Sequence, residues 1–296
     1  MPLLYNRNNM NTSYVKAFDD PELNRICSEW EQTYRYGTPE DRKQRAAKWE
    51  PYYSYVYKKY QVTDSGIVFP KEGAIADLSR AGVLEKDSSM LDIGCGTGGH
   101  TLAASQCCSH VDAIDCNEAA IEILRQRIAV NHIDNVRADC ISWEDYNPDT
   151  KYDTVFSSMC PAICNIDELM RMESISSKYC VLVTVMKGSY DKYRKMLLQE
   201  LDIQPEGMIT EGSVYLDVLG QLGREAQVFN YEEHYEYQTS LDELIGQYVS
   251  YLEIFGLSRS EAESQLRRFF ERNQKNGVLY DETHMKTAML VWRTGV

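Results

Sequence analysis

Residues 91–99 read LDIGCGTGG: Leu91-Asp92-Ile93-Gly94-Cys95-Gly96-Thr97-Gly98-Gly99. The apolar run SSMLDI leads into this stretch as a buried strand, and GGHTLAASQCC leads out of it with apolar residues at helical spacing. Glycines between the two let the chain turn sharply and bring its backbone close to a ligand, because a Cβ there would collide. About twenty residues further on, VDAIDCN ends a second strand on Asp115. Strand, glycine loop, helix and acid-tipped strand in this order predict an open, mostly parallel sheet with its ligand crevice beyond the carboxyl ends of the strands.

The flanking sequence continues the alternation. KEGAIADLSRAGVL reads as a helix before the glycine loop; EAAIEILRQRIAVN, VRADC, YDTVFSS, IDELMRMESIS and YCVLVTVM read as helix, strand, strand, helix and strand after it. Strands alternating with helices predict an α/β fold with helices on both faces of the sheet. Beyond Met186, helices are expected at Asp191 to Leu201 and Val214 to Gly223, then a strand in EAQVFNYEEHYEYQ and a last strand in MKTAMLVWR. That penultimate strand is expected to run parallel to its neighbours. The segment between the last two strands exceeds a hairpin loop and carries helical patterns in LDELIGQYVSYLEIFG and SRSEAESQLRRFFERN, so a helical insert is predicted at about 238–282. Residues 1–66, polar and aromatic with helical spacing, are expected to form an N-terminal helical lid on a domain spanning 67–296.

Gly94, Gly96 and Gly99 also satisfy the G-x-G-x-x-G pattern of dinucleotide binders. Asp92 separates the readings: a pyrophosphate over the loop would meet a carboxylate at the strand end, whereas a cation would gain from it. LDIGCGTGGHTL, VDAIDCN and VRADC closely resemble the cofactor motifs of class I S-adenosylmethionine-dependent methyltransferases, over roughly Val68 to Met186. The resemblance implies the Rossmann-like seven-stranded sheet of that family, with its last strand antiparallel, and S-adenosylmethionine as cofactor. It also implies that Asp92, Gly94, Gly96 and Gly98 surround the methionine part, with Cys95 as the small residue packed within this cofactor loop, and that Asp115, with Cys116 beside it, holds the ribose. Asp139 would face the adenine amino group, and Cys140 the adenine ring.

In that family the methyl acceptor meets the sulfonium after the fourth strand, where this chain has SSMCPAIC. Many amino-group methyltransferases carry an Asn- or Asp-Pro-Pro-aromatic motif there. Met159-Cys160-Pro161-Ala162 departs from it, which argues against a planar amide or nucleobase nitrogen as acceptor. Ser158, Met159 and Cys160 are therefore expected to line the acceptor pocket, with Tyr235 from the tyrosine-bearing face of FNYEEHYEYQ. Tyr237, Glu233 and His234 are candidates for a general base where the acceptor must lose a proton. Cys160 and Cys164, spaced to share one side of a helical turn, form an alternative site for a soft metal or metalloid, with Cys116 and Cys140 on the same sheet edge.

A formal charge of −14, from 31 Lys plus Arg against 45 Asp plus Glu, would repel a phosphate backbone, so nucleic acid is not expected as a partner. The same acidity favours a cationic or neutral substrate. The charged stretch Lys187 to Lys195 reads as a solvated helix face. No signal-peptide pattern opens the sequence and no apolar run approaches membrane-spanning length, so a cytoplasmic, membrane-free protein is expected. Nine cysteines without scaffold spacing suit free thiols. The resulting expectation is a methyltransferase transferring a methyl group to a small-molecule acceptor by in-line displacement and releasing S-adenosylhomocysteine. The alternatives are a methyltransferase for a thiol, metalloid or metal complex, and an S-adenosylmethionine-binding regulator without turnover. The oligomeric state is not legible.

Overall fold

The computed structural model describes residues 20–34, 37–57, 70–203 and 209–294. Two helices come first, α1 (Pro21–Tyr34) and α2 (Pro39–Tyr57), and α3 (Ala74–Arg80) leads into the sheet. Then β1 (Ser89–Ile93), α4 (Gly99–Ala104), β2 (His110–Asp115), α5 (Glu118–Val130) and β3 (Val136–Cys140) build one half of the sheet. The other half comprises β4 (Tyr152–Ser158), α6 (Ile166–Ser174), β5 (Ser176–Val185), β6 (Tyr190–Asp191), α7 (Lys192–Glu200), α8 (Gly212–Gln221) and β7 (Gln227–Thr239). The helices α9 (Leu241–Ile254) and α10 (Arg259–Asn273) precede the last strand, β8 (Leu279–Arg293).

Strands β3, β2, β1, β4 and β5 lie side by side and parallel, and the order reverses at β1. β8 joins β5 antiparallel and carries β7 on its other edge. β7 therefore points the same way as β1 to β5, but its ladder partner is antiparallel, not parallel as the sequence suggested. The sheet has eight strands rather than seven: β6 adds two residues against His284 and Thr283 of β8, just beyond the end of β5. β8 also begins earlier than MKTAMLVWR, because its polar first half pairs with β7 as a two-stranded ribbon.

Side chains alternate across β1 as a two-sided sheet requires. Leu91 and Ile93 join a core shared with α1, α6 and α8, while Met90 faces the opposite layer under α3 and α4. Leu102 of α4 packs with Ile121 and Leu124 of α5 over Ala113 and Ala138. A third core lies off the sheet, where Tyr52 of α2, Tyr193 and Leu197 of α7, the inner faces of α9 and α10, and Leu279 come together. Asn117, Asn165, Asp191, Ser240 and Ser258 each cap a helix by accepting from a backbone N–H in its first turn.

Candidate functional site

The site grows from the turn between β1 and α4. Gly94, Gly96 and Gly98 have φ of 72°, 54° and 83°, in the left-handed region where a side chain is costly. Two of these glycines are also fixed by their neighbours. A Cβ on Gly94 would lie 2.2 Å from Cys160 Sγ, and one on Gly98 would lie 2.2 Å from Leu124 of α5. Gly94 and Cys95 donate to Ile114 O at 2.8 and 3.0 Å, which holds the loop against the tip of β2. Arg127 closes it from outside, donating to Thr97 O at 2.7 Å.

Asp115 ends β2 with both carboxylate oxygens engaged: Oδ2 accepts from Gly96 N at 2.9 Å and Oδ1 from Asn117 N at 2.8 Å. Each oxygen keeps a further lone pair for a ligand. Burial pushes this carboxyl up, the two amide donors pull it down, and the Glu50 charge raises it again. Asp92 is fully buried on β1, and its Oδ2 accepts from Thr101 Oγ1 at 2.6 Å. Burial, with the Asp115 charge adding to it, pushes Asp92 up to about 7 in spite of the Thr101 hydrogen bond. A cation arriving beside the loop would relieve both carboxylates.

The remaining predicted cofactor residues line the same edge. Cys95 lies within the loop; Cys140 ends β3 and reaches Cys116 O at 3.8 Å. Asp139 pairs with Arg137 at 2.8 Å. On the acceptor side, Ser158 ends β4 and Met159 turns the chain at φ 50°, with its N–H donating to Val183 O. A non-glycine residue held there is strained, and such strain concentrates at functional sites. The turn aims Cys160 at the glycine loop, where its sulfur occupies the space left by the absent Cβ of Gly94. Burial, above all, pushes the Cys160 thiol up, so it stays protonated.

Helix α2 roofs this group. Glu50 accepts from Asn117, the residue that caps α5 directly after Asp115 and Cys116. Tyr57 Oη comes within 3.5 Å of the point where a Cβ of Gly96 would stand, and the Tyr57 ring stacks on Tyr53 at 5.8 Å. The Tyr53 hydroxyl is pushed up by burial and then by Tyr52, Cys160 and Asp115, although the residue as a whole is 38% exposed. On its neighbouring face α2 meets the insert: Trp49 and Tyr52 pack against Tyr251, and Tyr55 fills the space left by Gly246. PYYSYVYKKY at 51–60 shows its tyrosine density in the sequence, but not which rings meet which partners. Their spacing, with Glu50, Tyr53 and Tyr57 on one face and Trp49, Tyr52 and Val56 on the next, carries the signal.

The candidate bases all lie on β7. Glu233 and His234 lie exposed on the β7–β8 ribbon, and His234 Nε2 is 3.1 Å from Glu282. Tyr235 is 53% exposed. Tyr237 donates to Asp281 at 2.9 Å, beneath the insert. Cys160 and Cys164 also have separate surroundings, Cys164 lying near Arg42, Glu168 and Glu144. Among the described residues, the group of three or more ligand-type side chains close enough to share an ion is His234, Glu236 and Glu282, out on the ribbon. Arg194 corrects the reading of 187–195 as a solvated face. It lies under α2 and α9, donating to Tyr52 Oη at 3.3 Å, with its guanidinium 5.2 Å from the centre of the Tyr251 ring.

Residues 90–176 match the family described as a methyltransferase domain. A 52-residue stretch is 42% identical to the Methanocaldococcus jannaschii protein named "Probable cobalt-precorrin-6B C(15)-methyltransferase (decarboxylating)"; it covers 18% of this chain and 28% of that one. The chain thus spans little more than a quarter of the length of this curated relative. Among solved structures, YcgJ of Bacillus subtilis superposes with a TM-score of 0.50 at 13% identity, covering 75% of this chain and 98% of that one. BH2331 of Bacillus halodurans C-125 does so with a TM-score of 0.50 at 15% identity, covering 75% and 99%. No described helix is long and apolar enough to cross a membrane.

Proposed function

We propose that the chain, whose residues 90–176 match a methyltransferase domain and whose sheet has a Rossmann-like fold, is a class I S-adenosylmethionine-dependent methyltransferase acting on a small molecule. The observation that carries this is Asp115, whose carboxylate ties the glycine loop to the next strand while keeping lone pairs for two ribose hydroxyls. Asp92 and the three left-handed glycines would take the methionine part, and Cys95, Cys116, Asp139 and Cys140 would border the adenosine. S-adenosylmethionine, when bound, supplies an electrophilic methyl group on its sulfonium for in-line transfer to the acceptor. The chain's own part is alignment and exclusion of water. The loop and Asp115 fix the donor, while Met159 and Cys160 shape the acceptor side. α2 and the helical insert formed by α9 and α10 cover the edge. Cys160, protonated and packed on Gly94, serves as a wall rather than a nucleophile.

Asp115→Ala tests the assignment. Losing two charge-assisted hydrogen bonds should weaken S-adenosylmethionine binding by about 2 to 4 kcal/mol in a calorimetric titration of folded protein. Unchanged affinity would remove the ribose role. Tighter binding of a nicotinamide cofactor than of S-adenosylhomocysteine would overturn the functional reading.

A further inference from the structure

Arg194 stands in the first turn of α7, directly after the Asp191 cap, and three elements close around it. Tyr52 comes from α2, Tyr248 and Tyr251 from α9, and Asp191 from β6. A guanidinium has five N–H donors in a planar fork and stays charged at any working pH. Here Nη2 donates to Tyr52 Oη, while Nε is buried and has no hydrogen-bond partner among the described residues. An arginine with an idle inner edge is the arrangement that a planar, two-oxygen anion completes, through two parallel N–H···O bonds. The nearby acids hold other donors, Asp191 among them through the backbone of Arg194 itself. Asp191 Oδ1 accepts from the Arg194 backbone N–H at 3.0 Å and from Tyr248 Oη at 2.9 Å, and Asp281 accepts from Tyr237 and from Glu282 N.

The position also connects Arg194 to the proposed methyl-transfer site. Tyr52, its hydrogen-bond partner, has its ring 5.5 Å from Tyr53; Tyr53 stacks on Tyr57, and Tyr57 Oη borders Gly96. A run of three tyrosines on one helix thus links the guanidinium to the glycine loop.

We propose that Arg194 is the anion-binding group of the acceptor site, so that the acceptor is a small carboxylic acid. Its carboxylate would rest on the guanidinium, its apolar body among Tyr52, Tyr53 and Tyr251, and its nucleophilic atom toward Cys160. This rests on the methyltransferase reading and reverses the expectation, drawn from net charge, of a cationic or neutral acceptor, because the ligand meets the local cation rather than the average surface. The carboxylate in question has a second possible source, the methionine part of S-adenosylmethionine, and the test separates the two.

The full chain, saturated with S-adenosylhomocysteine, is titrated with benzoate and with benzamide, a neutral compound of the same shape. Benzoate should bind at least tenfold more tightly. Arg194→Gln should abolish that preference while leaving S-adenosylhomocysteine affinity within threefold, which also shows that the variant is folded. Where Arg194→Gln does not fold, Arg194→Lys is read instead and should weaken benzoate about fivefold or more, since an ammonium cannot make the paired contact. Equal binding of benzoate and benzamide by the wild type, or benzoate binding unchanged in the variant, overturns the proposal. So does a loss of S-adenosylhomocysteine affinity beyond tenfold with benzoate unaffected, which would assign the guanidinium to the cofactor's carboxylate. Failure of the wild type to bind S-adenosylhomocysteine at all would instead strike the methyltransferase reading, and the benzoate preference of the same sample would still decide the role of Arg194.

Discussion

Asp92 shows how one side chain can be placed against its own stability. Its carboxyl is buried beside a second carboxylate, accepts from the Thr101 hydroxyl, and is pushed up to about 7. In the unfolded chain it would titrate near the ordinary value, about 3.9. Between those two pH values the folded protein holds a proton that the unfolded chain has released, so Asp92 costs more stability as pH rises through the window. The full cost, reached above pH 7, is at most about 4 kcal/mol. Asp92→Asn keeps an acceptor for Thr101 and removes the charge. The unliganded variant should match wild type in denaturant unfolding near pH 4 and exceed its stability increasingly up to pH 8, while binding S-adenosylmethionine more weakly. A stability difference that is the same at pH 5 and pH 8 would mean that the carboxyl is not neutral in the folded protein. The charge of Asp92 against a cation is legible in the sequence, because it follows from a carboxylate at a strand end. The opposing burial was not legible, because it is created by Thr101 and by the two helices packed over β1.

Helix α2 is held at one end and presented at the other. In its first half Arg42 is nearly buried, with Nε 2.9 Å from Glu144 and Nη2 2.7 Å from Glu168. Glu168 in turn accepts from Trp143 Nε1 at 2.7 Å and pairs with Arg171. A buried ion pair adds little over an apolar pair of the same size, but removing one partner leaves the other's charge stranded. Arg42→Met should therefore cost about 3 to 5 kcal/mol in equilibrium unfolding, and Arg42→Met with Glu168→Gln should cost less than the single change. An exposed, dispensable pair would give less than about 1 kcal/mol for either. The central elements were legible because β1, β4 and β5 hold short apolar stretches, Met90-Leu91, Val155-Phe156 and Cys180–Val183, and the helices between them keep a 3.6-residue period. α2 was legible as a helix but not as a roof, since both of its aromatic faces follow the same period and differ only in what they touch. β6 and the first half of β8 escaped because their pairing depends on the overhang of β8 beyond β5, in a polar ribbon that reads as loop. Arg194 escaped because its burial is decided by α9, some fifty residues later, and not by its charged neighbours.

Among the described residues, α1 and the second half of α2 pack against different parts of the molecule. Leu23, Cys27 and Trp30 of α1 join the main core; Trp30 Nε1 donates to Thr210 Oγ1 at 2.9 Å and its ring meets Tyr215 of α8 edge-on. The second half of α2 rests instead on the glycine loop and on α9, so a ligand on the loop touches α2 and, through Trp49, Tyr52 and Tyr55, the insert. A single lid over residues 1–66 would respond to ligand as one unit. The packing argues for a split response within the described residues. With S-adenosylhomocysteine at a hundred times its dissociation constant, openings that release the ligand become harder by about 2.7 kcal/mol, which slows exchange through them roughly a hundredfold. Amides of Tyr52–Tyr57 and Gly94–Gly98 should show that slowing in hydrogen-exchange mass spectrometry, and Tyr248–Leu252 of α9 should follow in part. Leu23–Trp30 of α1 should exchange at the same rate with and without ligand, because their openings break the core and not the site. Matching protection of α1 and α2 would restore the single lid. Protection of the loop with none in α2 would make the helix a fixed layer and leave water exclusion to the insert.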